Sequence, residues 1–365
     1  MKRLFFILSV ILLFSCGKNF DYSGVEVVDL KLGPNGEFAV VYYSNETVNV
    51  YSFEKLVNSF QRRAVFVSTS HKTYGGYFSV KDVGFLSDGR IYIVAYKPTL
   101  GWLVRIDDKE LGYYSYISSF SYSDNLNLIG FVYNVGGEFS NDSLIGGKYY
   151  VNINGQDMGP YDYVDSLIFS KGGDSFAFSY SNGKNWYVKI SDYEYVCYNG
   201  VILPNTFNAP EDIKFAYRIK VDWFLHPNYL IPRNIYKIIS LNNYTFFVFT
   251  NSNYSFVSNN ITNLSVEGKL VDMVYDGKNM LFLVQYDNKY KIFFNNKNIT
   301  FDNIMKYHLT NGKVVYKSKN TEGYYVGIDD KTFGPYDFVD FYVEGSKVKI
   351  AYIKNGKLNF ILENF

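Results

Sequence analysis

After residue 20 the chain alternates apolar and polar positions with a period of two, in short runs broken by Gly, Asn or Asp, and no stretch of a dozen residues keeps a 3.6-residue period. Two such runs flank a turn in LKLGPNGEFAVVYY from Leu30, VGFLSDGRIYIVAY from Val83, FSYSDNLNLIGFVY from Phe120 and LIFSKGGDSFAFSY from Leu167, and more weakly in FYVEGSKVKIAY from Phe341. Each predicts a β-hairpin. A second pattern, strand, two-residue turn and short return, recurs in LVRIDDKELGYYSYIS from Leu103, YVNINGQDMGPYDYVD from Tyr150 and YVGIDDKTFGPYDFVD from Tyr325, which align without a gap. KIFFNNKNITFDNIM from Lys291 keeps the same apolar and turn positions and loses the glycine. Hairpin and strand-turn-return alternate, so the repeating unit holds four short strands.

The register is marked by large aromatics. Trp102, Trp186 and Trp223 all fall at the start of a third strand, where Tyr149 and Tyr324 also sit. Steps of 47, 37 and 37 residues lead from Trp102 to Tyr149, Trp186 and Trp223, and the 101 residues on to Tyr324 leave room for three further units. GPYDYVD at residues 159–165 returns as GPYDFVD at 334–340, five units later. Gly159 and Gly334 permit backbone angles closed to other residues, Pro160 and Pro335 fix φ, and Asp162 and Asp337 can hold the amides of a turn. Gly159-Pro160-Tyr161-Asp162 and Gly334-Pro335-Tyr336-Asp337 therefore read as one structural corner used on two units. Third strands are expected near residues 50, 102, 149, 186, 223, 254, 290, 324 and 358. The fold class is all-β: a β-propeller of four-stranded antiparallel blades, about eight in number within a range of seven to nine, with one candidate partial or inserted.

The FSxDGxxxAF-like hairpin and the GxWYVxIxG-like strand resemble the WD-repeat-like propellers of the TolB type, found in many exported bacterial proteins. The resemblance is strongest over residues 80–200 and 270–360; between 201 and 260 the unit is degenerate and carries four of the eight prolines.

The chain begins with Lys2 and Arg3 before an apolar run from Leu4 to Phe14. That run is too short for a membrane-spanning helix, which needs roughly 20 residues, and reads as a secretory signal. Its end, Leu13-Phe14-Ser15-Cys16-Gly17, resembles the lipobox of bacterial lipoproteins, which implies that Cys16 is acylated and becomes the new N-terminus. The expected organisation is a signal peptide at 1–15, a tether at 16–24 and a single propeller domain at 25–365, held to a membrane by the lipid on Cys16. The other cysteine, Cys197, lies in the alternating strand YVCY and reads as a buried apolar thiol, with no disulfide expected.

Thirty-six basic residues against 35 acidic ones give a net charge of +1, which argues against nucleic acid as a partner. Tyr and Phe number 37 and 32, enough flat side chains to wedge between blades.

Catalytic and cofactor signatures are missing. His71, His226 and His308 have no metal-ligand spacing, and no GxSxG, P-loop glycine series or CxxC occurs. The stretches from Asp272 to Asp276 and at Asp287-Asn288 read as hairpin turns rather than calcium loops. Asp165 and Asp340 share a repeat position and could converge, a geometry open to any ring. The tryptophans read as packing between blades. Two segments break the repeat: a Gly-rich insertion from Asn134 to Lys148, and Asp222 to Asn234. The expected function is a non-enzymatic binding or scaffold module of the cell envelope, with a protein or envelope component as partner and no cofactor. The alternative is an envelope enzyme or glycan-binding module using the funnel.

Overall fold

A computed structural model gives the fold and describes residues 20–364 apart from 53–54, 141–142, 221, 227–228, 232–234, 242–243, 251–253, 259–262, 277, 288 and 295–296. The signal peptide and Cys16 lie outside the described residues.

The chain is a β-propeller. Four-stranded antiparallel sheets run in chain order from Glu26 to Tyr77, Ser79 to Tyr114, Tyr116 to Tyr161 and Tyr163 to Tyr198, and again from Ile235 to Glu267, Lys269 to Phe301 and Asn303 to Tyr336. Between the fourth and the sixth lies a short unit, Val201–Ile202, Ala216–Ile219, Asp222–Leu225 and Tyr229–Ile231, fused to its predecessor by one parallel pair, Tyr198 with Arg218. The last sheet, Phe338 to Asn364, has three strands. The count is nine units, the upper end of the expected range, and Pro204 and Pro210 of the degenerate stretch belong to the reduced fifth one.

Packing closes the ring. Among the described residues nine apolar clusters occupy the seams between successive units, from Ala39, Val65, Ile93 and Leu103 between the first two to Val315, Val326, Val339 and Ile350 between the last two. The ninth joins Leu30, Phe38 and Val40 of the first blade to Ala351 and Ile353 of the last. Burying both faces of every blade this way supplies the hydrophobic stabilisation, on the order of 25 cal/mol per Å² of apolar surface. The open edge of the three-stranded sheet is covered by the N-terminal segment: Asp21 pairs antiparallel with Lys357, and Tyr22 N donates to Gly356 O at 2.7 Å. Phe20 packs edge-on to Phe38 at 4.7 Å. Residues 20–24, assigned to the tether from the sequence, are thus part of the folded body, because an unpaired sheet edge leaves backbone groups that this segment satisfies.

Eight of the third strands stand where the aromatic register puts them. In the first blade the third strand is Lys55–Thr69, and residue 50 lies in the second, Phe38–Ser52. Those two strands pair along 15 residues each, longer than in any other blade, and the unbroken alternation gives no sign of where the hairpin turns.

Candidate functional site

Each blade presents its first strand to the central channel, and seven of these strands carry a β-bulge at one position, between Val27 and Asp29, Val80 and Asp82, Ile117 and Ser119, Val164 and Ser166, Ile235 and Lys237, Leu270 and Asp272, and Ile304 and Lys306. A bulge re-aims the residue that follows it. The result is a belt of bonds from blade to blade. Lys237 Nζ donates to Val271 O and stands 3.3 Å from Asp272; Tyr307 donates its hydroxyl to the same Asp272. Lys306 Nζ reaches both oxygens of Asp340, at 3.0 and 3.2 Å, and Phe341 O. Lys81 Nζ donates to Ile117 O and Ser118 O at 2.7 and 2.8 Å. Asp272, read from the sequence as part of a turn, is a strand residue of this belt.

Between the first, second, eighth and ninth blades the channel widens into a cavity of about 520 Å³. Lys31, Asp82, Tyr92, Lys306, His308, Lys317 and Asp340 line it. Burial works against the Lys31 charge, but the carboxylates around it, led by Asp29 at 3.0 Å and joined by Asp340 and Asp82, outweigh it and raise its pKa. Burial, then the Asp82 carboxylate, pushes the Tyr92 hydroxyl up, so it stays a donor. Burial and Lys306 lower His308, and burial lowers Lys317.

Asp165 and Asp340, which share a repeat position, do not both line this cavity: Asp340 does and Asp165 does not. His226 stacks on Phe215 at 4.6 Å between blades, and His71 is exposed. Among the described residues no group of three His, Cys, Asp or Glu side chains is placed to hold a metal ion. Cys197 is a buried free thiol, its pKa pushed up to about 12 by burial.

The GPYD residues lie where one blade hands over to the next. Gly159, Pro160 and Tyr161 end a fourth strand, as Gly334, Pro335 and Tyr336 do, and the corner itself is the following aspartate. Asp162 N donates to Ser181 O at 3.0 Å, and Asp162 Oδ2 accepts from Gly183 N at 2.6 Å. Asp337 repeats both bonds with Ile353 O at 2.9 Å and Asn355 N at 2.7 Å. Each carboxylate therefore holds the hairpin turn of the next blade rather than its own. Tyr161 packs on Tyr180 and Tyr336 on Tyr352, both at 4.2 Å, and Tyr114 on Tyr133 at 3.9 Å in the same manner.

Antiparallel order puts these handovers and the hairpin between second and third strands at one end of every blade. On that face, over the second to fourth blades, rings follow one another: Phe78 to Tyr96 at 6.1 Å, Tyr96 to Trp102 at 5.7 Å, Trp102 to Tyr116 at 5.5 Å and Tyr116 to Phe139 at 5.2 Å, with Tyr149, Tyr163 and Trp186 continuing at 5.3 and 5.9 Å. Phe139 belongs to the Asn134–Lys148 insertion, a small hairpin of Glu138–Ser140 and Ser143–Ile145. Its neck is fixed by the buried Asn134, whose Oδ1 accepts from Gly137 N at 3.0 Å. Phe78, Leu100, Phe139 and Ile145 are 67, 54, 53 and 60% exposed. Of the other irregular segment, Asp222–Leu225 is the third strand of the fifth unit, and 227–228 and 232–234 lie outside the described residues.

The sequence reading missed the channel lysines and the exposed Phe78 and Leu100. Lys317 carries a signal in the repeat, a cation at a position where four other blades have valine, that only the strand register exposes.

No protein-family model matches the chain, and no curated protein matches it in sequence. Solved structures resemble it in fold. The Dos1 propeller is 10% identical with a TM-score of 0.44, covering 94% of this chain and 93% of that one. The β-propeller domain of the Trilobed protease from Pyrococcus furiosus is 8% identical with a TM-score of 0.34, covering 95% and 96%. An acylaminoacyl peptidase in complex with Z-Gly-Gly-Phe-chloromethyl ketone is 12% identical with a TM-score of 0.43 over 81% of this chain, which spans 58% of the peptidase's length. At these scores the assignment of the fold rests on the strand pairing above.

Proposed function

We propose that this propeller is a TolB-type exported lipoprotein, held to a bacterial membrane by acyl chains on Cys16, that binds a protein of the cell envelope through the handover face of its second to fourth blades. The observation that carries the reading is the aromatic run from Phe78 to Phe139 with its exposed aliphatic neighbours Leu100 and Ile145. Aromatic anchors set in an apolar patch are the composition of protein-binding surfaces. A glycan site would need open ring faces, and Trp102 is boxed between Tyr96 and Tyr116. The rigid neck at Asn134 favours a presented hairpin over a passive insertion.

The test is crosslinking in intact cells followed by capture of the wild-type protein, a Cys16→Ala form and a Phe139→Ser/Ile145→Ser form. A specific protein held by the wild type and lost from the double variant supports the reading, and its loss from the Cys16→Ala form ties binding to the membrane. Equal capture by wild type and double variant would remove this face from the proposal.

A further inference from the structure

Strand register makes one residue of the channel stand out. The residue after each bulge faces a fixed partner on the second strand: Asp29 faces Val41, Asp82 Val94, Ser119 Val132, Ser166 Ser179, Lys237 Val248 and Asp272 Leu283. Asp340 of the unbulged last blade faces Ala351. In the eighth blade alone the partner is charged, and it is charged like its neighbour: Lys306 faces Lys317. Like charges directly opposite in an antiparallel pair destabilise the sheet.

Lys317 is also buried, only 5% exposed. A buried ammonium is costly unless it is paired. Asp340, the carboxylate at hand, gives both oxygens to Lys306 and one of them also to Leu32 N at 2.9 Å, and Asp29 is taken by Lys31. Among the described residues Lys317 makes no ion pair or hydrogen bond, and its ammonium stands 5.6 Å from the centroid of the Tyr324 ring. Small or aliphatic residues, valine, leucine, alanine or serine, fill this position in the other blades compared above, so packing does not call for a lysine. Its side chain lines the cavity of about 520 Å³, a size within the roughly 300–1,000 Å³ of small-molecule sites.

We propose that this cavity binds a small organic oxyanion, a phosphate or carboxylate, whose charge sits against Lys317 with Lys306 alongside. Asp82 faces the same space beside Tyr92 and would repel a bare polyanion. It accepts a hydrogen bond from a hydroxyl or amino group, so the ligand class is a hydroxylated or aminated molecule with a single carboxylate or phosphate group. Neutralising a buried cation gives a lysine a purpose at a position that is uncharged in the other blades compared. This site is independent of the handover face.

The test uses the whole folded chain and two probes that separate the sources of the oxyanion, glycerol 3-phosphate and glycerate, with inorganic phosphate as the reference for an unspecific anion. Calorimetric titration of wild type, Lys317→Met and, as a remote control, Lys148→Met is expected to give saturable binding of one organic probe, tighter than phosphate. That binding should weaken at least tenfold in K317M and be unchanged in K148M. Without ligand K317M should unfold at a higher urea concentration than wild type, since it removes an unpaired charge. Absence of saturable binding of either organic probe overturns the proposal. So does binding that K317M leaves intact, or a K317M protein less stable than wild type, which would make Lys317 a structural residue.

Discussion

Lys306 Nζ stands 3.0 and 3.2 Å from the two oxygens of Asp340, 34 residues later and one blade further round the ring. Asp340 Oδ2 also accepts Leu32 N of the first blade at 2.9 Å, so one carboxylate, 2% exposed, joins the eighth, ninth and first blades at the seam where the ends of the chain meet. Asp340→Ala leaves the Leu32 amide without its acceptor and Lys306 with Phe341 O alone, and is expected to cost about 3 kcal/mol. Asp272→Ala, at a related point of the belt where the pair with Lys237 is more open, should cost about 1 kcal/mol. Urea unfolding of the two variants measures the difference; equal midpoints would mean that Asp340 has no special part in closing the ring.

Gly159 and Gly334 hold φ at +137° and +133°. A Cβ at 159 would stand 2.9 Å from Tyr149 O and 2.8 Å from Tyr150 Cδ1, and one at 334 would stand 2.7 Å from Tyr324 O and 2.8 Å from Tyr325 Cδ1. Backbone oxygens of a paired strand cannot move aside. Each alanine substitution is therefore expected to lower stability by about 2 kcal/mol. The two sites are far apart, so the double variant should show the sum. Midpoints within error of wild type would refute the reading of GPYD as a conformational requirement.

The same residues show what the sequence could and could not reveal. Trp102, Trp186 and the tyrosines of the third strands declare the repeat because the seam between blades needs a large flat side chain at one position. Gly159 and Gly334 are legible because their backbone angles exclude other residues. Lys317 was not legible: in VVYKSK it looks like any lysine of an amphipathic strand, and only pairing with Lys306 shows that its side of the strand is interior. Phe78 and Leu100 were hidden for the opposite reason, since apolar residues beside strands read as core until the fold leaves them outside.

Asp276 ties the seventh blade to the eighth by accepting the amides of Lys278 and Asn279 at 3.0 and 2.8 Å and of Gly312 at 2.9 Å. Burial alone would raise its pKa, and these amides outweigh it, led by Asn279, to hold the carboxyl at about 2. A carboxyl depressed in the folded state stabilises the fold above its unfolded pKa, about 3.9, and that contribution fades as pH falls toward the folded value. Asp276→Asn should therefore flatten the loss of stability between about pH 4 and pH 2, read as urea midpoints across that range. A variant as acid-sensitive as wild type would show that the carboxyl is not held down.

Cys197 packs where the fourth and fifth units meet, among Val188, Phe207, Ile213 and Phe215. The thiolate is the reactive form, and burial that pushes the pKa up to about 12 leaves almost none of it at neutral pH. In the Cys16→Ala protein Cys197 is the single thiol, so labelling with a thiol-reactive dye reports on this seam alone. The folded protein should label at least a hundredfold more slowly than the same protein in urea, because modification has to wait for the fifth unit to leave the fourth. Labelling at the rate of a free cysteine would mean that the reduced fifth unit does not stay seated, and that the ring is open at its weakest seam.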